Sequence, residues 1–248
     1  MANDWFDPFG VRRIADAMST TAARSLIGRP VQVESQGLAA VVSAVHEAAP
    51  SSNVGAMLSG QIGLWRRLDV ELGDVTIRGN RLDRVRVRAD DVRAIDARPQ
   101  RVGARVLDVE AHAGAEATRG WIDTLAPVDV DVRVADGELL ARLPGLGSFG
   151  EAILDPWCEG RTVGVDVERA RLRSREVSIP QRFRKRFAWE LEWLPPATTI
   201  HEVVITDDDG VVVRGTIDRY SIEVDVPRLM ADLTSRQAGA AIDVLLRV

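Results

Sequence analysis

The sequence has 248 residues, of which 46% are hydrophobic and 28% charged, and its formal net charge is −5. These fractions are ordinary for a globular protein and exclude a wholly disordered or collagen-like chain. No stretch approaches the roughly 20 apolar residues that a membrane-spanning helix needs, which argues against an integral membrane protein. The mildly acidic balance argues against a nucleic-acid-binding protein, which usually has a basic domain or stripe.

The N-terminal sequence and the cysteine content predict a cytoplasmic location. Acidic residues stand at the start, where a signal peptide has basic ones, and no long apolar segment follows them. Cys158 is the single cysteine, so an internal disulfide cannot form, which agrees with a reducing compartment. We expect a cytoplasmic protein, with peripheral contact to a membrane surface as an open alternative.

The N-terminal part of the chain predicts helices. Val11 and Ile14 begin a helical spacing of apolar residues, and we therefore divide the chain into an N-terminal helical segment over 1–30 and a single domain over 31–248. The spacing of apolar residues over 38–49 predicts another helix, because these residues recur every three or four positions.

From residue 68 onward the hydrophobic period changes to two, which is typical of strands with one apolar face. Val70 and Leu72 alternate with acidic residues, whereas Val85 and Val87 alternate with arginines after a turn signal. The stretch 68–92 therefore predicts an antiparallel hairpin. The predicted elements beyond residue 100 are strands over 102–110, 128–134, 139–143, 163–168, 172–179, 187–193, 200–205, 211–217 and 241–248, and helices over 115–125 and 227–235.

Because one-sided strands greatly outnumber helices, these elements predict an α+β fold. We expect a long, strongly curved antiparallel sheet wrapped around one or two helices. The stretches 68–92 and 163–180 share a pattern, in which alternating valines are followed by an arginine-rich return strand. This similarity leaves an internal pseudo-repeat open.

Apart from one glycine motif, the sequence contains no pattern that points to a catalytic residue, a cofactor or a metal. Gly145, Gly147 and Gly150 spell the dinucleotide motif GxGxxG, but that motif needs a parallel strand–helix–strand unit and the neighbouring strands alternate like antiparallel ones. The three histidines are far apart, and Cys158 has no adjacent histidine or second cysteine. We predict a protein that is not an enzyme, and the glycine motif alone keeps an enzyme open.

The segment 182–187 reads Arg-Phe-Arg-Lys-Arg-Phe, so that four cations are interleaved with two phenylalanines. This mixture suits an anionic surface, above all lipid headgroups, and single-stranded nucleic acid could use it as well. The alternative is a charged edge strand with two buried phenylalanines, because charge protects the edges of sheets.

The amount of one-sided apolar strand is a second indication of function. Such a long apolar face must be covered, and few helices are predicted to cover it. Either the helices and the sheet close a solid core, or the curved sheet encloses an apolar groove that binds a ligand such as an acyl chain. The pattern leaves both structures open.

Three stretches resemble the LmeA family of actinobacterial phospholipid-binding proteins. They are LDVELGDVTIRGNRLDRVRVRADDV (68–92), VDVDVRVADGELLARL (128–143) and LPPATTIHEVVITDDDGVVVRGTI (194–217). The last combines a Leu-Pro-Pro break, a strand, an acidic turn with glycine and a valine-rich return strand. The resemblance implies an elongated fold like that of tubular lipid-binding proteins, with an apolar groove for acyl chains and no catalysis at the lipid site. It also implies an association with lipids and glycolipids of the cell envelope.

We therefore predict a non-catalytic lipid-binding or lipid-transfer protein without a cofactor, whose partner is a phospholipid or another acyl lipid and not nucleic acid. The alternative is a structural or interaction module with a filled core, which acts through a sheet edge or a helix. The candidate groove residues are Val70, Leu72, Val85, Val87, Val130, Val132, Val165, Val167, Trp189, Leu191 and Trp193. The candidate contacts to a headgroup or membrane surface are Arg182, Arg184, Lys185 and Arg186.

Overall fold

The computed structural model describes residues 23–24, 26–33, 36–50, 63–97, 100–125, 131–142, 150–172, 175–206 and 210–223. Within these residues, 74% of the positions lie in strands and 10% in helices. Most of the helix predicted within 1–30, the helix predicted over 227–235 and the strand predicted over 241–248 lie outside the described residues.

The described elements follow one another mostly as strands. The helix α1 spans Ala115–Leu125, between the sixth and seventh strands. The strands are β1 Pro30–Val33, β2 Leu38–Pro50, β3 Gly63–Ile77, β4 Asn80–Leu82, β5 Arg84–Ala97, β6 Gln100–Ala113, β7 Asp131–Ala135, β8 Glu138–Arg142, β9 Gly150–Glu159, β10 Thr162–Leu172, β11 Arg175–Ser178, β12 Lys185–Glu190, β13 Thr198–Ile205 and β14 Val211–Glu223.

These strands form two antiparallel sheets. The first sheet has the order β1-β2-β3-β5-β6-β14-β13, with β4 paired to β3, and the second has the order β11-β10-β9-β8-β7, with β12 paired to β10. Neither sheet closes on itself. The predicted α+β class, with one curved sheet wrapped around one or two helices, is therefore wrong, because the described fold is mostly antiparallel β in two sheets.

The hairpin predicted over 68–92 is confirmed at the centre of the first sheet, where β3 and β5 pair antiparallel. Val70 lies opposite Val87 and Leu72 lies opposite Val85, so the four side chains share one apolar face. The core on this face includes the fully buried Val75. The alternation of valine or leucine with charged residues thus correctly predicts which face of β3 and β5 is buried.

The helix predicted over 38–49 is wrong, because this segment forms the strand β2. The pairing of β2 with β3 shifts register at four places, one of them between Val42 and Ala44 and another between Val45 and Glu47. These two shifts each insert an extra residue into β2, Ser43 and His46, and move its apolar positions away from strict alternation. As a result, apolar residues recur at three- and four-residue intervals, which is the spacing of a helix.

The helix predicted over 115–125 is confirmed as α1. Ala117 and Trp121 pack against the core of the first sheet, and Ile122 packs against the core of the second. The Trp121 Nε1 group donates a hydrogen bond to the carbonyl oxygen of Arg81 at 3.2 Å. The helix therefore contributes apolar side chains to both cores. Within the described part of the chain, no helix is long and apolar enough to cross a membrane.

The two sheets also meet where β13 approaches β9. The backbone N–H of Ile200 donates to the carbonyl oxygen of Gly160 at 2.7 Å, and the side chain of Ile205 packs against the core of the second sheet. Since β13 is an edge strand of the first sheet, this contact partly covers its free side.

Candidate functional site

The predicted groove residues of the first sheet lie together on its apolar face. Leu72 and Val85 are buried, whereas Val70 and Val87 are half-buried. The same face continues over β6, where Val109 lies opposite Val87. These residues therefore belong to a continuous apolar surface.

The predicted groove residues of the second sheet form a separate cluster. Val132 and Val167 are buried in its core, and Val165 packs against them. Trp189 lies opposite Val163 at the edge of the same face. The predicted groove list is thus divided between two sheets, and Val130 lies outside the described residues.

The last two predicted groove residues do not belong to a strand. The strand β12 ends at Glu190, and the backbone N–H of Leu191 donates to the carbonyl oxygen of Arg161 at 3.0 Å before the chain turns. Trp193 instead stacks on Trp121 of α1, with ring centroids 6.0 Å apart. The prediction that the strand continues to Trp193 is therefore wrong, because β12 ends at Glu190 and the turn after Leu191 brings Trp193 to α1.

Two aromatic residues that the sequence reasoning did not single out lie on the apolar face of the first sheet. Trp65 and Tyr220 are half-buried and pack against a core that includes Ala89 and Leu107. Burial raises the pKa of the Tyr220 hydroxyl, and a hydrogen bond with Gln36 partly offsets this effect. Tyr220 is the single tyrosine of the chain. It packs against the same core as Ile217, three residues earlier, and Arg219 between them has a φ of 50°, so strict alternation along β14 does not indicate its position.

The opposite face of the first sheet carries charges that pair with one another across the strands. Arg214 donates from Nε to Glu110 at 2.8 Å and from Nη1 to Glu202 at 2.6 Å. The hydrogen bond from Arg214 is the largest cause that lowers the pKa of Glu110. We call the following cross-strand neighbours the charged row: Glu71, Arg86, Glu110, Arg214 and Glu202.

Next to the charged row, Asp69 is a buried carboxylate. Its residue is 4% exposed, and its Oδ2 atom lies 2.7 Å from Arg86 Nη2 and 3.1 Å from Arg88 Nε. Burial alone would raise the pKa of Asp69, but the hydrogen bonds and charges of the two arginines lower it below its ordinary value. This face therefore neutralises its own charges and offers little to an ionic ligand.

The free edge of the second sheet has a different construction. Both β11 and β12 pair with β10, with Ser178 opposite Arg169 and Lys185 opposite Val167. The intervening residues 179–184, which we call the projection, therefore loop out beside a single residue of β10, Glu168. We call β11, the projection and β12 together (residues 175–190) the basic-aromatic edge.

The basic-aromatic edge concentrates exposed apolar side chains. Among the described residues, large hydrophobic side chains are exposed at Ile27, Leu172, Val177, Phe183 and Phe187. Three of these lie on the edge and Leu172 adjoins it at the end of β10. Phe183, in the projection, is the most exposed of them, with 57% of its surface accessible. The prediction of two buried phenylalanines in a charged edge strand is therefore wrong.

The four predicted headgroup contacts are all exposed on this edge. Arg182 stacks over the ring of Phe183, with its guanidinium carbon 4.7 Å from the centroid. Arg184 donates to the carbonyl oxygen of Ile179 at 3.1 Å. It also lies 3.4 Å from a carboxylate oxygen of β10. Within the described residues, Lys185 has no ion-pair partner.

Trp157 supports the edge from β9, although the sequence reasoning overlooked it. The guanidinium of Arg186 lies 3.9 Å above its ring and 3.6 Å from Asp166. A Cβ atom at Gly164 would come within 2.4 Å of the same ring. A glycine inside the alternating segment 163–168 signals a close approach of another group, and that signal could have revealed this packing.

The glycine motif and the histidines do not form a chemical site in the described residues. Gly150 begins β9, which pairs antiparallel with β8 and β10, so the parallel unit of a dinucleotide site is not built there. Gly145 and Gly147 lie outside the described residues. His46 contacts Glu71 and His201 contacts Thr216. No cluster of three metal-ligating side chains occurs among the residues described.

The single cysteine is half-buried. Burial is the main cause that raises the pKa of its thiol, and the charge of Glu202 adds to it. A raised pKa keeps the thiol protonated at neutral pH, which is the opposite of what an activated nucleophile needs.

Comparisons of the chain with protein families, with characterised proteins and with solved structures found no match.

Proposed function

We propose that this protein is a non-catalytic lipid-binding or lipid-transfer protein. In this proposal the apolar faces of the sheets receive acyl chains, and the basic-aromatic edge contacts anionic headgroups at a membrane surface. The similarity of three stretches to the LmeA phospholipid-binding family is part of the same proposal.

The observation that carries the proposal is the composition of the basic-aromatic edge. Its sixteen residues contain five cationic and two acidic side chains, in a chain whose net charge is −5. Cations beside exposed phenylalanines suit the headgroup region of a membrane, where charges meet phosphates and aromatic rings lie at the boundary with the acyl chains. The local charge is thus opposite in sign to that of the whole protein.

The partial burial of the apolar face of the first sheet supports the acyl-chain part of the proposal. Val70 and Val87 lie at its centre and are only half-buried. Trp65 and Tyr220 flank the face with large, half-buried rings. An apolar surface with few polar groups at its border is the usual lining of a site for a hydrophobic ligand.

Sedimentation with vesicles tests the headgroup contact. We expect full-length protein to bind vesicles that contain phosphatidylglycerol and to bind pure phosphatidylcholine vesicles much more weakly. Each cation near an anionic surface contributes about 1 kcal/mol, so Arg182→Ala combined with Lys185→Ala should weaken binding ~30-fold. These two cations lack ion-pair partners among the described residues, so the double variant should fold normally.

The matched control is Arg66→Ala combined with Arg105→Ala. Both are exposed arginines of the first sheet, and their removal changes the net charge by the same amount. Vesicle binding should fall far less in this control, since the effect depends on position and not on net charge. The proposal is contradicted if the protein ignores anionic vesicles and if lipid extraction of the purified protein also yields no stoichiometric lipid.

The alternative function, a structural or interaction module that acts through a sheet edge, is favoured by one separate observation. Five of the six residues of β12 are exposed, and no described strand pairs with its outer side. Such an edge is a template for pairing with another strand. Association of the purified protein in the absence of lipid would favour this function.

A further inference from the structure

The outer side of β12 presents backbone groups that no described strand uses. Leu191 donates its N–H to the carbonyl oxygen of Arg161, so this opposed pair is a hydrogen-bonded one. Hydrogen-bonded pairs recur at every second position of an antiparallel ladder, and the register places Phe187 and Trp189 in them. The N–H and C=O groups of the alternate residues, 186, 188 and 190, therefore point away from β10.

The side chains of β12 are complementary to a second copy of the same strand. In an antiparallel pair centred on Ala188, Arg186 of one copy lies opposite Glu190 of the other. Phe187 likewise lies opposite Trp189 of the second copy. The pairing thus places a cation against an anion and an aromatic ring against an aromatic ring, and symmetry repeats both pairs.

The centre on Ala188 also agrees with the backbone pattern. When a two-fold axis runs perpendicular to the joined sheet, residues that lie opposite each other in the two copies have their side chains on the same face of the sheet. The axis must therefore pass between a residue and its own copy, and not between two peptide bonds. The pairs formed by 186 with 190 and by 188 with 188 are then hydrogen-bonded, and these residues are the ones whose backbone groups point outward. A centre on Phe187 would place Arg186 opposite Ala188, so that no charged residue of the second copy would lie opposite it.

The edge lacks proline and bulges, two of the features that normally prevent strand addition. Proteins also protect free edges with charged side chains, but in the proposed pairing Arg186 and Glu190 of β12 meet opposite charges of the second copy. In the basic-aromatic edge, Pro180 lies in the projection between β11 and β12. The strand β12 itself contains no proline, and its pairing with β10 has no register shift. Phe187 and Trp189 already stack on one face of β12, with centroids 6.3 Å apart, so the partner strand would extend an existing aromatic cluster.

We infer that this protein forms a symmetric dimer in which β12 pairs antiparallel with β12 of a second copy around Ala188. The inference rests on the backbone and side chains of β12 and does not depend on lipid binding. The dimer joins the second sheets of the two copies into one continuous sheet. Both projections then lie beside the shared strand pair, related by the two-fold axis.

Charge reversal tests the register by sedimentation velocity over a range of protein concentrations. The full-length protein should change from the 27.1 kDa monomer to a species of twice that mass as concentration rises. Arg186→Glu or Glu190→Arg alone should raise the dimer dissociation constant on the order of tenfold, because each places like charges opposite one another twice. The double variant Arg186→Glu/Glu190→Arg should return the constant to within about threefold of the original value.

Lys185→Glu is the matched control, since it makes the same change of net charge on the same strand but on the other face. It should leave the dissociation constant unchanged. A protein that stays monomeric at high concentration overturns the inference. A dimer that survives both single reversals, or that the double variant fails to restore, overturns the register.

A disulfide provides a second test that does not alter the charges. In the Cys158→Ser background, Ala188→Cys places two thiols across the two-fold axis. Hydrogen-bonded pairs have Cα atoms about 5.5 Å apart, which lies within the range for a disulfide. Mild oxidation should produce a covalent dimer with Ala188→Cys and none with Ser178→Cys, an exposed position on β11. Equal cross-linking of both variants would contradict the inference.

Discussion

On the outer face of the first sheet, arginines alternate with carboxylates along rows that cross the strands, and most of these charges have an opposite charge within hydrogen-bonding distance. On the basic-aromatic edge of the second sheet, arginines and a lysine lie beside exposed aromatic rings, and their ionic partners are fewer and more distant. The same residue types therefore have two different surroundings. Cations that pair with carboxylates stabilise the fold, whereas the proposed function uses the cations that lack such close partners.

The largest expected effect concerns the buried carboxylate of the first sheet. Asp69→Ala should lower the free energy of unfolding by about 3 kcal/mol, because it leaves two arginines without their shared partner. The loss stays at the low end of the range for buried ion pairs, since the side chains of Arg86 and Arg88 are 33% and 52% exposed. Denaturant unfolding of both proteins at neutral pH measures the difference.

The exposed end of the charged row provides the control. Glu202→Gln removes a carboxylate whose side chain is 48% exposed, and the change should stay within about 0.5 kcal/mol. If Glu202→Gln costs as much as Asp69→Ala, burial is not what distinguishes the two carboxylates.

The pH dependence of the same pair of proteins follows from the lowered pKa of Asp69. A carboxylate with a lowered pKa in the folded state stabilises the protein above its unfolded-state pKa, near the ordinary value of 3.8, and loses this effect as the pH falls through the folded value. The stability difference between the original protein and Asp69→Ala should therefore be full at neutral pH and shrink below about pH 4. A difference that stays constant down to pH 2 would contradict an ionic role for Asp69.

The next largest effect concerns the support of the basic-aromatic edge. Gly164→Ala should lower the free energy of unfolding by about 2 kcal/mol, because the added methyl group overlaps the Phe187 carbonyl oxygen and the Trp157 ring at 2.3 and 2.4 Å. The backbone oxygen cannot move without disturbing the pairing of β10 with β12.

Gly120→Ala is the control for the removal of a glycine. Gly120 lies in α1 with open space around it, and alanine is the better helix former, so this change should stabilise the protein by about 0.5–1 kcal/mol. If Gly164→Ala lowers the melting temperature and Gly120→Ala raises it, the close approach at Gly164, and not the loss of a glycine as such, causes the destabilisation.

Much of the local structure could be predicted from the sequence, and the failures have definite physical causes. The alternation around Val70 and Val87 predicts a hairpin correctly, because strand periodicity is a local property. In β2, which is also a strand, the bulges space the apolar residues three or four positions apart, as in a helix, and the prediction fails there. The division into two sheets depends on contacts such as that of Glu110 with Arg214, which are 104 residues apart, and periodicity carries no information about such pairs.

The candidate site shows the same limit. The cations and phenylalanines of 182–187 are visible in the sequence, but their exposure is not, because it results from the way the projection leaves the edge of β10. Trp157 lies 25 residues or more from this segment, and only the packing across Gly164 brings it under Arg186. Local composition therefore suggests the proposed ligand class, whereas the pairing of distant strands determines which of these side chains are exposed.

The smallest expected changes in stability come from removing two cations of the second sheet, Arg169 and Lys185. Arg169 bonds both Asp155 and Glu176, and these hydrogen bonds raise the pKa of its guanidinium. Its side chain is 37% exposed, so solvent screens the pairs and Arg169→Ala should cost about 1 kcal/mol. Lys185→Ala should change the stability by less than about 0.5 kcal/mol, because no carboxylate among the described residues pairs with Lys185.

Both variants should be measured by denaturant unfolding and by vesicle sedimentation. The two measurements distinguish a cation that stabilises the fold from one that contributes to vesicle binding. Arg169→Ala should lose stability and keep its affinity for anionic vesicles, whereas Lys185→Ala should keep its stability and lose about fivefold in affinity. If Lys185→Ala were the less stable of the two, the cation would have a structural role that its surroundings do not explain. That result would contradict the distinction between the paired charges of the first sheet and the basic-aromatic edge, because Lys185 is the edge cation for which the distinction makes the simplest prediction.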